Sequence, residues 1–342
     1  MKKVAVVILN WNGATMLQQF LPSVIRHSNE HANIYVADNG STDTSCDIVE
    51  REFIQARLIK LDKNYGFAEG YNLALEKLEE EYFILLNSDV DVTPSWIKPL
   101  LDYMDNHPET AACQPKLLSY NNPLSFEYAG GSGGFIDCWG YPFCRGRMLG
   151  TVENDKGQYD DIRSIFWATG ASLMVRRTDY WENGGLDARF FAHMEEIDFC
   201  WRLRNRGRNI ACIPQSKVYH VGAATLKKEN PHKTFLNFRN NLLMIYKNAS
   251  NDKLTKILII RYWLDRLAAL TFILKGDIVN AKAVFKAWKD FRSMQKSYIQ
   301  IRKENLRKTV TNKIPEQTNE SLLVAYYLKR KHTFKEWAGK IL

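Results

Sequence analysis

Four short apolar segments, each followed at once by a cluster of polar residues, constrain the fold of this 342-residue chain more than any other feature. The segments cover residues 4–9, 34–37, 58–61 and 82–86, and stretches with helical spacing of apolar residues follow at 15–26, 43–53, 68–77 and 94–106. Strands that alternate with helices predict an α/β fold whose mostly parallel sheet is covered on both faces. The carboxyl ends of such strands face one crevice where ligands bind, so we expect the four polar clusters to meet there.

The polar clusters have a composition that suits a nucleotide and a divalent cation. They read Asn10-Trp11-Asn12-Gly13, Asp38-Asn39-Gly40-Ser41-Thr42-Asp43, Asn64-Tyr65-Gly66-Phe67-Ala68 and Asn87-Ser88-Asp89-Val90-Asp91. A carboxylate at Asp38 can accept hydrogen bonds from a nucleobase or a ribose. In an extended stretch Asp89 and Asp91 point the same way, and Mg²⁺ or Mn²⁺ takes one or two carboxylates together with phosphate oxygens.

Three of the four clusters also have a purely structural interpretation. Residues 38–43 fit an Asx turn that leads into a helix N-cap, and residues 64–72 fit a Gly-rich turn, although backbone N–H groups at a helix start can also face an anion. Residues 87–91 fit a polar turn before a helix capped by Thr93. The occurrence of all four at strand ends favours a ligand site.

The second part of the chain begins with a segment of different amino-acid composition. Residues 113–165 are rich in Gly, Tyr, Pro and Asn, which predicts a long excursion with short strands, an acceptor loop or lid. A return strand at 166–175, a helix at 195–206 and short strands at 210–213 and 217–220 are expected to follow.

Charge is divided unevenly between the two ends of the chain. Residues 1–225 hold 22 Lys and Arg against 29 Asp and Glu, a net −7, whereas residues 226–342 hold 25 against 9, a net +16. An acidic front part suits a cation-dependent site. A basic tail suits an anionic partner such as a phospholipid surface, a lipid pyrophosphate or a nucleic acid.

The segment 256–275 predicts a helix that is apolar on most of one face. Arg261, Asp265 and Arg266 interrupt it, so it is not expected to span a bilayer. Two interpretations remain open: the helix lies on a bilayer surface, or it packs on the catalytic part of the chain.

Taken in order, the polar clusters resemble the inverting GT-A glycosyltransferases of family 2, of the type that includes rhamnosyltransferases. The resemblance covers roughly residues 3–248 and implies a GT-A fold with a C-terminal helical extension. It implies a nucleotide-sugar site that comprises Asn10, Asn12, Asp38, Asn39, Asp43, Asn64, Gly66, Phe67, Ala68, Asn72, Asn87 and Ser88. The family's DxD-like metal motif falls on residues 87–91, where Asn87 replaces the first Asp, so that Asp89 matches the metal-binding position and Asp91 is a second candidate ligand.

The resemblance extends into the second part of the chain. Residues 167–171 look like the segment that lines the acceptor side, with Trp167, Thr169 and Gly170 as the expected contacts. Residues 190–199 resemble the "ED" motif, whose second acid is the catalytic base, and this acid maps onto Glu196. The alternative base is Asp198, and Glu195 belongs to the same acidic cluster, for which a helix start enriched in acids is the structural interpretation. His220 matches a family histidine that binds the metal or the diphosphate.

From these observations we expect an enzyme that moves a sugar, with inversion, from a nucleoside-diphosphate sugar to a glycan or lipid-linked acceptor. By resemblance, the setting is bacterial surface polysaccharide synthesis at the cytoplasmic face of the membrane, with Mg²⁺ or Mn²⁺ and a thymidine-diphosphate rhamnose donor as one candidate. The expected parts are a catalytic domain at 1–248, divided into a nucleotide half (1–112) and an acceptor half (113–248), and a basic helical extension at 249–342.

Two other functional classes remain as alternatives. A sugar-nucleotide pyrophosphorylase would need a basic Gly-rich loop after the first strand, and residues 10–13 contain no Lys or Arg. A non-catalytic glycan- or nucleotide-binding protein would not need the carboxylates at Asp89 and Glu196. A dinucleotide dehydrogenase is disfavoured because no GxGxxG follows the first strand, and no nucleic-acid partner is expected.

Overall fold

The structure is a computed structural model that describes residues 2–222, 230–311 and 313–338. The strands are β1 (Val4–Asn10), β2 (Ala32–Asn39), β3 (Ala56–Leu61), β4 (Tyr82–Asn87), β5 (Val90–Val92), β6 (Thr110–Ser119), β7 (Gly134–Ile136), β8 (Pro142–Cys144), β9 (Arg147–Met148), β10 (Thr151–Val152), β11 (Arg163–Ser164), β12 (Ser172–Arg176) and β13 (Asn209–His220). The helices are α1 (Ala14–Ser28), α2 (Ser45–Glu52), α3 (Gly66–Leu75), α4 (Ile97–Asn106), α5 (Arg177–Glu182), α6 (Glu195–Asn205), α7 (Pro231–Asn248), α8 (Asn251–Leu274) and α9 (Ile278–Arg307).

The central sheet has the strand order β11-β13-β6-β12-β4-β1-β2-β3, and β5 pairs with β13 at its edge. Strands β1 to β4 are parallel, as the alternation of strands and helices predicts, because each crossover runs through a helix. Strand β12 is antiparallel to both β4 and β6, and β13 runs parallel to β6. The predicted α/β fold with a mostly parallel sheet is therefore confirmed.

Both faces of the sheet are buried, which explains why its strands read as continuous apolar runs. Along β1, Val4, Val6 and Ile8 face a core shared with α1 and α4, whereas Ala5 and Val7 face a second core shared with α3, α6 and α7. The carboxyl ends of β1, β2 and β4 then lie side by side, since Leu9 pairs with Asn87 and Asn10 pairs with Asp38.

The excursion expected at 113–165 contains the short strands β7 to β10, which form a separate antiparallel sheet. Several element boundaries differ from the prediction. Strand β6 takes up the start of the expected excursion, and the return strand expected at 166–175 is β12, which begins only at Ser172. Helix α4 begins at Ile97 rather than near residue 94, and the expected cap Thr93 instead donates its hydroxyl to the carbonyl of Lys217 at 2.7 Å. The strands expected at 210–213 and 217–220 form the single strand β13, with an irregularity between Ile213 and Lys217.

The C-terminal helices pack on this core. Helix α9 lies against both α7 and α8, and Arg302 on α9 donates to the carbonyl of Tyr246 on α7. Residues after α9 reach back to the small sheet, where the N–H of Leu322 donates to Asp137 at 2.9 Å. None of the helices in the described ranges is long and apolar enough to cross a membrane.

Candidate active site

Asn10 and Asp38 form a buried polar pair at the carboxyl ends of β1 and β2. The side-chain amide of Asn10 donates to Oδ1 of Asp38 at 3.2 Å and to the hydroxyl of Ser41 at 3.3 Å, and the N–H of Ser41 donates to Oδ2 of Asp38 at 3.0 Å. A carboxylate can accept about four hydrogen bonds. Asp38 therefore keeps acceptor capacity for a ligand while its orientation is fixed by the protein.

Asn12 and Asp43 have protein partners that fix the loops around this pair. Asn12 Oδ1 accepts from the N–H of Thr42 at 2.8 Å. The two carboxylate oxygens of Asp43 accept from the N–H of Ala14 at 3.1 Å and of Ser45 at 3.0 Å, which are the first residues of α1 and α2. Both side chains hold the crevice together, and a direct contact with a nucleotide stays a prediction for them.

Three further asparagines from the expected nucleotide set also bond to backbone. Asn39 donates to the carbonyl of Gly66 at 2.9 Å, Asn64 accepts from the N–H of Gly66 at 2.8 Å, and Asn72 donates to the carbonyl of Leu186 at 2.8 Å. They connect the turn before α3 to β2 and to the segment before α6. As with Asn12, their contact with a nucleotide stays a prediction.

The start of α3 is closed by the backbone of another loop. The carbonyl of Phe191 accepts from the N–H groups of Phe67, at 2.6 Å, and of Ala68, at 3.3 Å. Gly66 has φ +77°, and a Cβ there would come within 2.5 Å of the Phe191 ring. The helix start therefore does not present these two N–H groups to an anion, and glycine is required by both conformation and space.

Asp89, His220 and Glu127 form a buried row of charges at the end of β4. His220 Nε2 lies 3.1 Å from Asp89 Oδ1, and its Nδ1 lies 3.3 Å from Glu127 Oε1. Burial by itself lowers the pKa of His220, but the hydrogen bonds and charges of the two acids outweigh it and raise the pKa to about 10. Burial also raises the pKa of Asp89, and its bond to His220 more than compensates, so this carboxyl is ionised at neutral pH.

Of the other members of the predicted metal motif, one joins this row and one does not. Asn87 Nδ2 lies 3.4 Å from His220 Nε2, and Ser88 borders the crevice near Gly13. Asp91 pairs with Tyr219 on β13, whereas His220 pairs with Val90. Because side chains alternate along a strand, Asp91 faces away from His220.

Glu196 is the carboxylate of the acidic cluster that remains available. It is partly buried, it accepts a hydrogen bond from the N–H of Gly170, and its Oε2 has no hydrogen-bond partner among the described residues. Burial raises the pKa of Glu196 to about 7. A carboxylic acid with this pKa is poised to exchange a proton near neutral pH.

The two neighbouring acids are placed differently. Glu195 is buried, and burial followed by the nearby charge of Glu196 raises its pKa well above the usual range. Asp198 is fully buried and bonds to Arg202 Nε at 3.0 Å, Lys247 Nζ at 2.7 Å and the Asn248 amide at 2.7 Å. Its oxygens are therefore occupied by a structural ion-pair network. Glu195 Oε2 is unpartnered like that of Glu196, but the Glu195 side chain is buried whereas Glu196 is partly exposed, so Glu196 is the candidate base.

The loop that carries these acids is held in an unusual backbone conformation. Phe191, His193 and Met194 all have positive φ, at 66°, 71° and 72°. The side-chain amide of Asn240 on α7 donates to the carbonyls of Phe190 at 3.0 Å, Ala192 at 2.9 Å and His193 at 2.8 Å. Left-handed non-glycine residues are costly and persist where the surroundings impose them, so α7 fixes the approach to α6.

The segment expected on the acceptor side bridges the two charged clusters. The carbonyl of Ala171 accepts from the N–H of Asn87 at 3.0 Å, and the preceding residue, Gly170, bonds to Glu196. Consecutive Cα atoms are about 3.8 Å apart, so residues 87–89 and Glu196 border one site. Trp167 and Thr169 are buried, at 3% and 2% exposure, and therefore support this segment rather than line its surface.

Several residues of the site escape prediction from the sequence. Glu127 lies in the Gly- and Tyr-rich excursion, and Asn240 and Lys247 lie on α7, far along the chain from the residues that they contact. No local pattern marks them. Of the described part of the chain, no group of three or more His, Cys, Asp or Glu side chains has the geometry of a complete metal site.

Comparison with known sequences finds relatives among glycosyltransferases. Residues 5–165 match the sequence model described as "Glycosyl transferase family 2". A protein of Mycobacterium tuberculosis described as N-acetylglucosaminyl-diphospho-decaprenol L-rhamnosyltransferase is 26% identical over 233 residues, which cover 63% of this chain and 75% of that protein.

Solved structures show the same fold. The structure of GalNAc-T7 with UDP, GalNAc and Mn²⁺ superposes with a TM-score of 0.57 at 15% identity, and covers 72% of this chain and 48% of that one. A structure of residues 1–349 of S. aureus TarS superposes with a TM-score of 0.55 at 16% identity, and covers 90% and 89% of the two chains. At these identities the likeness shows the fold alone.

Proposed function

We propose that the chain is a glycosyltransferase of family 2 and that it transfers a sugar, with inversion, from a nucleoside-diphosphate sugar to a hydroxyl group of a glycan or lipid-linked acceptor. The observation that carries the proposal is the pairing of two groups at one crevice. One is Glu196, an unpartnered carboxyl with a pKa of about 7, and the other is the charged row of Asp89 and His220 at the strand ends.

The nucleoside would bind at Asn10 and Asp38. A carboxylate with fixed orientation and spare acceptor capacity suits the N–H of a nucleobase or the hydroxyls of a ribose. The diphosphate would then lie toward Asp89 and His220, because β1 pairs with both β2 and β4, Asp89 follows β4, and His220 contacts Asp89.

The residues present fit a divalent cation that is completed by the donor's own phosphates. Asp89 supplies an ionised carboxylate 3.1 Å from His220 Nε2, and we propose that these two would hold Mg²⁺ or Mn²⁺, with His220 giving up its additional proton when the cation binds. Such ions bind through one or two protein groups plus substrate phosphates, which agrees with the lack of a three-residue site in the described ranges. When bound, the ion would supply Lewis-acid stabilisation of the leaving diphosphate.

Glu196 would act as general base. Its free Oε2 would accept the proton of an acceptor hydroxyl as that oxygen attacks the anomeric carbon from the side opposite the diphosphate. One displacement inverts the configuration. Gly170 holds the carboxyl in place through its N–H, and the burial of Glu195 keeps a second negative charge out of the site.

The acceptor class follows from the relative rather than from the geometry. The mycobacterial protein is named for a sugar joined to diphospho-decaprenol, and by analogy we propose a lipid-linked acceptor in surface polysaccharide synthesis, with thymidine-diphosphate rhamnose as the first donor to try. A protein with such an acceptor would work at the inner face of the cell membrane.

The test measures nucleotide binding through the melting temperature of the protein. The ligands are UDP, dTDP and GDP and the corresponding nucleotide sugars, each with and without Mn²⁺. A ligand that binds only the folded state raises the melting temperature by mass action. We expect one nucleotide to give a Mn²⁺-dependent rise that is lost in Asp89→Ala and kept in Asp91→Ala, because Asp91 faces away from His220. A rise that persists in Asp89→Ala, or no rise with any diphosphate, would overturn the assignment of this site.

A further inference from the structure

Helix α8 exposes a continuous apolar stripe on the face that points away from the protein. Its members are Ile259, Trp263, Leu267, Leu270 and Leu274, with exposures from 47% to 78%. They recur every three or four residues, so they lie on one side of the helix. Single exposed apolar residues are ordinary, but a contiguous row of this length marks an interaction surface.

The opposite face of the same helix is already used for packing. Ile257, Arg261, Asp265 and Ala269 are buried, and Asp265 bonds to Arg261 and to the indole N–H of Trp288 on α9. Packing on the protein therefore accounts for this face and leaves the exposed apolar stripe without a partner among the described residues. Of the two interpretations of the segment 256–275, packing holds for the buried face.

The apolar stripe continues around the turn between α8 and α9. Ile273 at the end of α8, and Ile278, Val279 and Phe285 on α9, are between 43% and 61% exposed. We call the exposed apolar residues of α8 together with these four the α8–α9 surface. It occupies the tip and outer side of a helical hairpin, a shape that can enter the boundary layer of a bilayer without crossing it.

Positive charges predominate around the α8–α9 surface, although Asp252 at the start of α8 is also exposed. Exposed lysines border it at positions 253, 256, 275, 282, 286 and 289. Between residues 253 and 289 the only acids are Asp265 and Asp277. Asp265 is buried in its bonds to Arg261 and Trp288, and Asp277 caps α9 by accepting from the N–H of Asn280 at 3.0 Å.

We propose that the α8–α9 surface docks on an anionic phospholipid bilayer, with α8 lying in the plane of the interface. Apolar side chains flanked by lysines are the pattern of helices that bind such interfaces, where burial of apolar area and attraction to acidic headgroups act together. A second copy of the chain fits less well, because a two-fold contact would place the same row of lysines against itself. The inference does not depend on which sugar or acceptor the enzyme uses.

The test is flotation of the full chain with two kinds of vesicle. One contains phosphatidylcholine alone and is neutral, and the other contains about 30% phosphatidylglycerol and is acidic. We expect at least about tenfold more bound protein on the acidic vesicles, falling with added salt. Vesicle-bound protein should fall at least about tenfold in the triple variant that combines Trp263→Gln, Leu267→Gln and Leu270→Gln. A second triple variant, with Lys282→Gln, Lys286→Gln and Lys289→Gln, should lose the preference for acidic lipid.

A matched control removes exposed apolar side chains elsewhere. Ile54→Gln, Leu124→Gln and Val310→Gln replace residues that are 77%, 73% and 72% exposed and lie outside the α8–α9 surface, so binding should not change. Equal binding by the Trp263 triple variant, or no binding by the wild type, would overturn the proposal. So would sedimentation that shows a lipid-free dimer which this variant converts to monomer. The nucleotide-induced thermal shift of the triple variant should equal that of the wild type, which separates this test from that of the proposed function.

Discussion

Two carboxylates two residues apart on α6 meet opposite surroundings, and this contrast decides which of them can do chemistry. Glu196 has a free oxygen and a pKa raised by burial to about 7, whereas Asp198 is saturated by Arg202, Lys247 and Asn248. Sequence spacing alone could not separate them, because both lie in the first turn of a helix that is rich in acids. The two acids differ because Lys247 and Asn248 on α7, which are distant in the chain, bond to Asp198.

A base with a near-neutral pKa predicts an acidic limb in the pH–rate profile. We expect kcat/KM to fall about tenfold per pH unit below pH 7. Glu196→Gln should lose about 10²- to 10⁴-fold in kcat, and its remaining activity should no longer fall at acidic pH.

The same pKa shift predicts an effect on stability. Folding raises the pKa of Glu196 above the unfolded value of about 4.3, so ionisation of Glu196 destabilises the fold as pH rises from about 4 to 7. At pH 8, Glu196→Gln should therefore be as stable as the wild type or more stable, by at most about 4 kcal/mol. A variant that is inactive because it is unfolded would contradict this.

Asp198→Asn should damage stability first. It leaves Arg202 and Lys247 with one fewer buried negative charge, and breaking a buried ion pair from one side costs about 3–5 kcal/mol. Because Lys247 also pairs with Asp187 at 2.7 Å, we expect the lower part of this range. Urea denaturation measures the loss. A stable Asp198→Asn protein without activity would instead assign Asp198 a direct part in the reaction.

At the scale of elements, α7 acts as a clamp on the loop before α6. Three left-handed residues without glycine within four positions would relax unless held, and the Asn240 amide reaches three carbonyls of this loop. Asn240 touches neither donor nor acceptor in our proposal. It is thus a positioning residue for Glu196.

Asn240→Leu should lower kcat about 10- to 100-fold with little change in donor affinity, since misplacement of a reacting group by about 1 Å costs about this much. Steady-state kinetics and nucleotide-induced thermal shifts measure the two effects separately. Asn237→Leu serves as the control because Asn237 lies one turn earlier on the same helix and is only partly buried. A loss of donor affinity equal to the loss in kcat would show that the loop shapes the nucleotide site instead.

The elements of the nucleotide half could be predicted well because local signals and global fold agree there. Buried strands, crossover helices and polar strand ends all indicate the same parallel sheet, and the pairing of Asn10 with Asp38 follows from it. The rest could not be predicted, for two reasons. Side chains such as Asn39 and Asp43 have turn-forming and ligand-binding uses that look alike in sequence, and partners such as Glu127 of His220 meet only through tertiary packing.

At the scale of the whole molecule, the match of residues 5–165 to the family 2 model supports the resemblance, whereas the division of the chain at residue 248 stays a prediction. Contacts across this position are extensive. Arg204 on α6 pairs with the buried Glu316, and Thr318 donates its N–H to the carbonyl of Ile136 in the small sheet at 3.0 Å. The basic C-terminal part therefore has two roles, an inner one in the core and the outer one proposed for α8 and α9.

The segment after α9 should be required for folding. Phe334 packs with its ring centre 4.9 Å from that of Phe135, and Trp337 lies 5.0 Å from Phe143; together with the buried Leu322 these side chains close the core over the small sheet. At about 1.5–3 kcal/mol for each buried side chain, their removal costs about 5–9 kcal/mol, which is comparable to the whole stability of a typical domain.

We therefore expect a chain ending at residue 311 to be unfolded or to melt at least about 10 °C lower than the full chain by circular dichroism. Phe334→Ala alone should cost about 3–5 kcal/mol, and Tyr327→Ala, at a residue that is 67% exposed, should cost almost nothing. A chain 1–311 with unchanged melting would mean that the small sheet holds together without its cover. In that case the acceptor side of the site would be built by residues 113–176 alone, and the C-terminal segment would serve only to position α8 and α9.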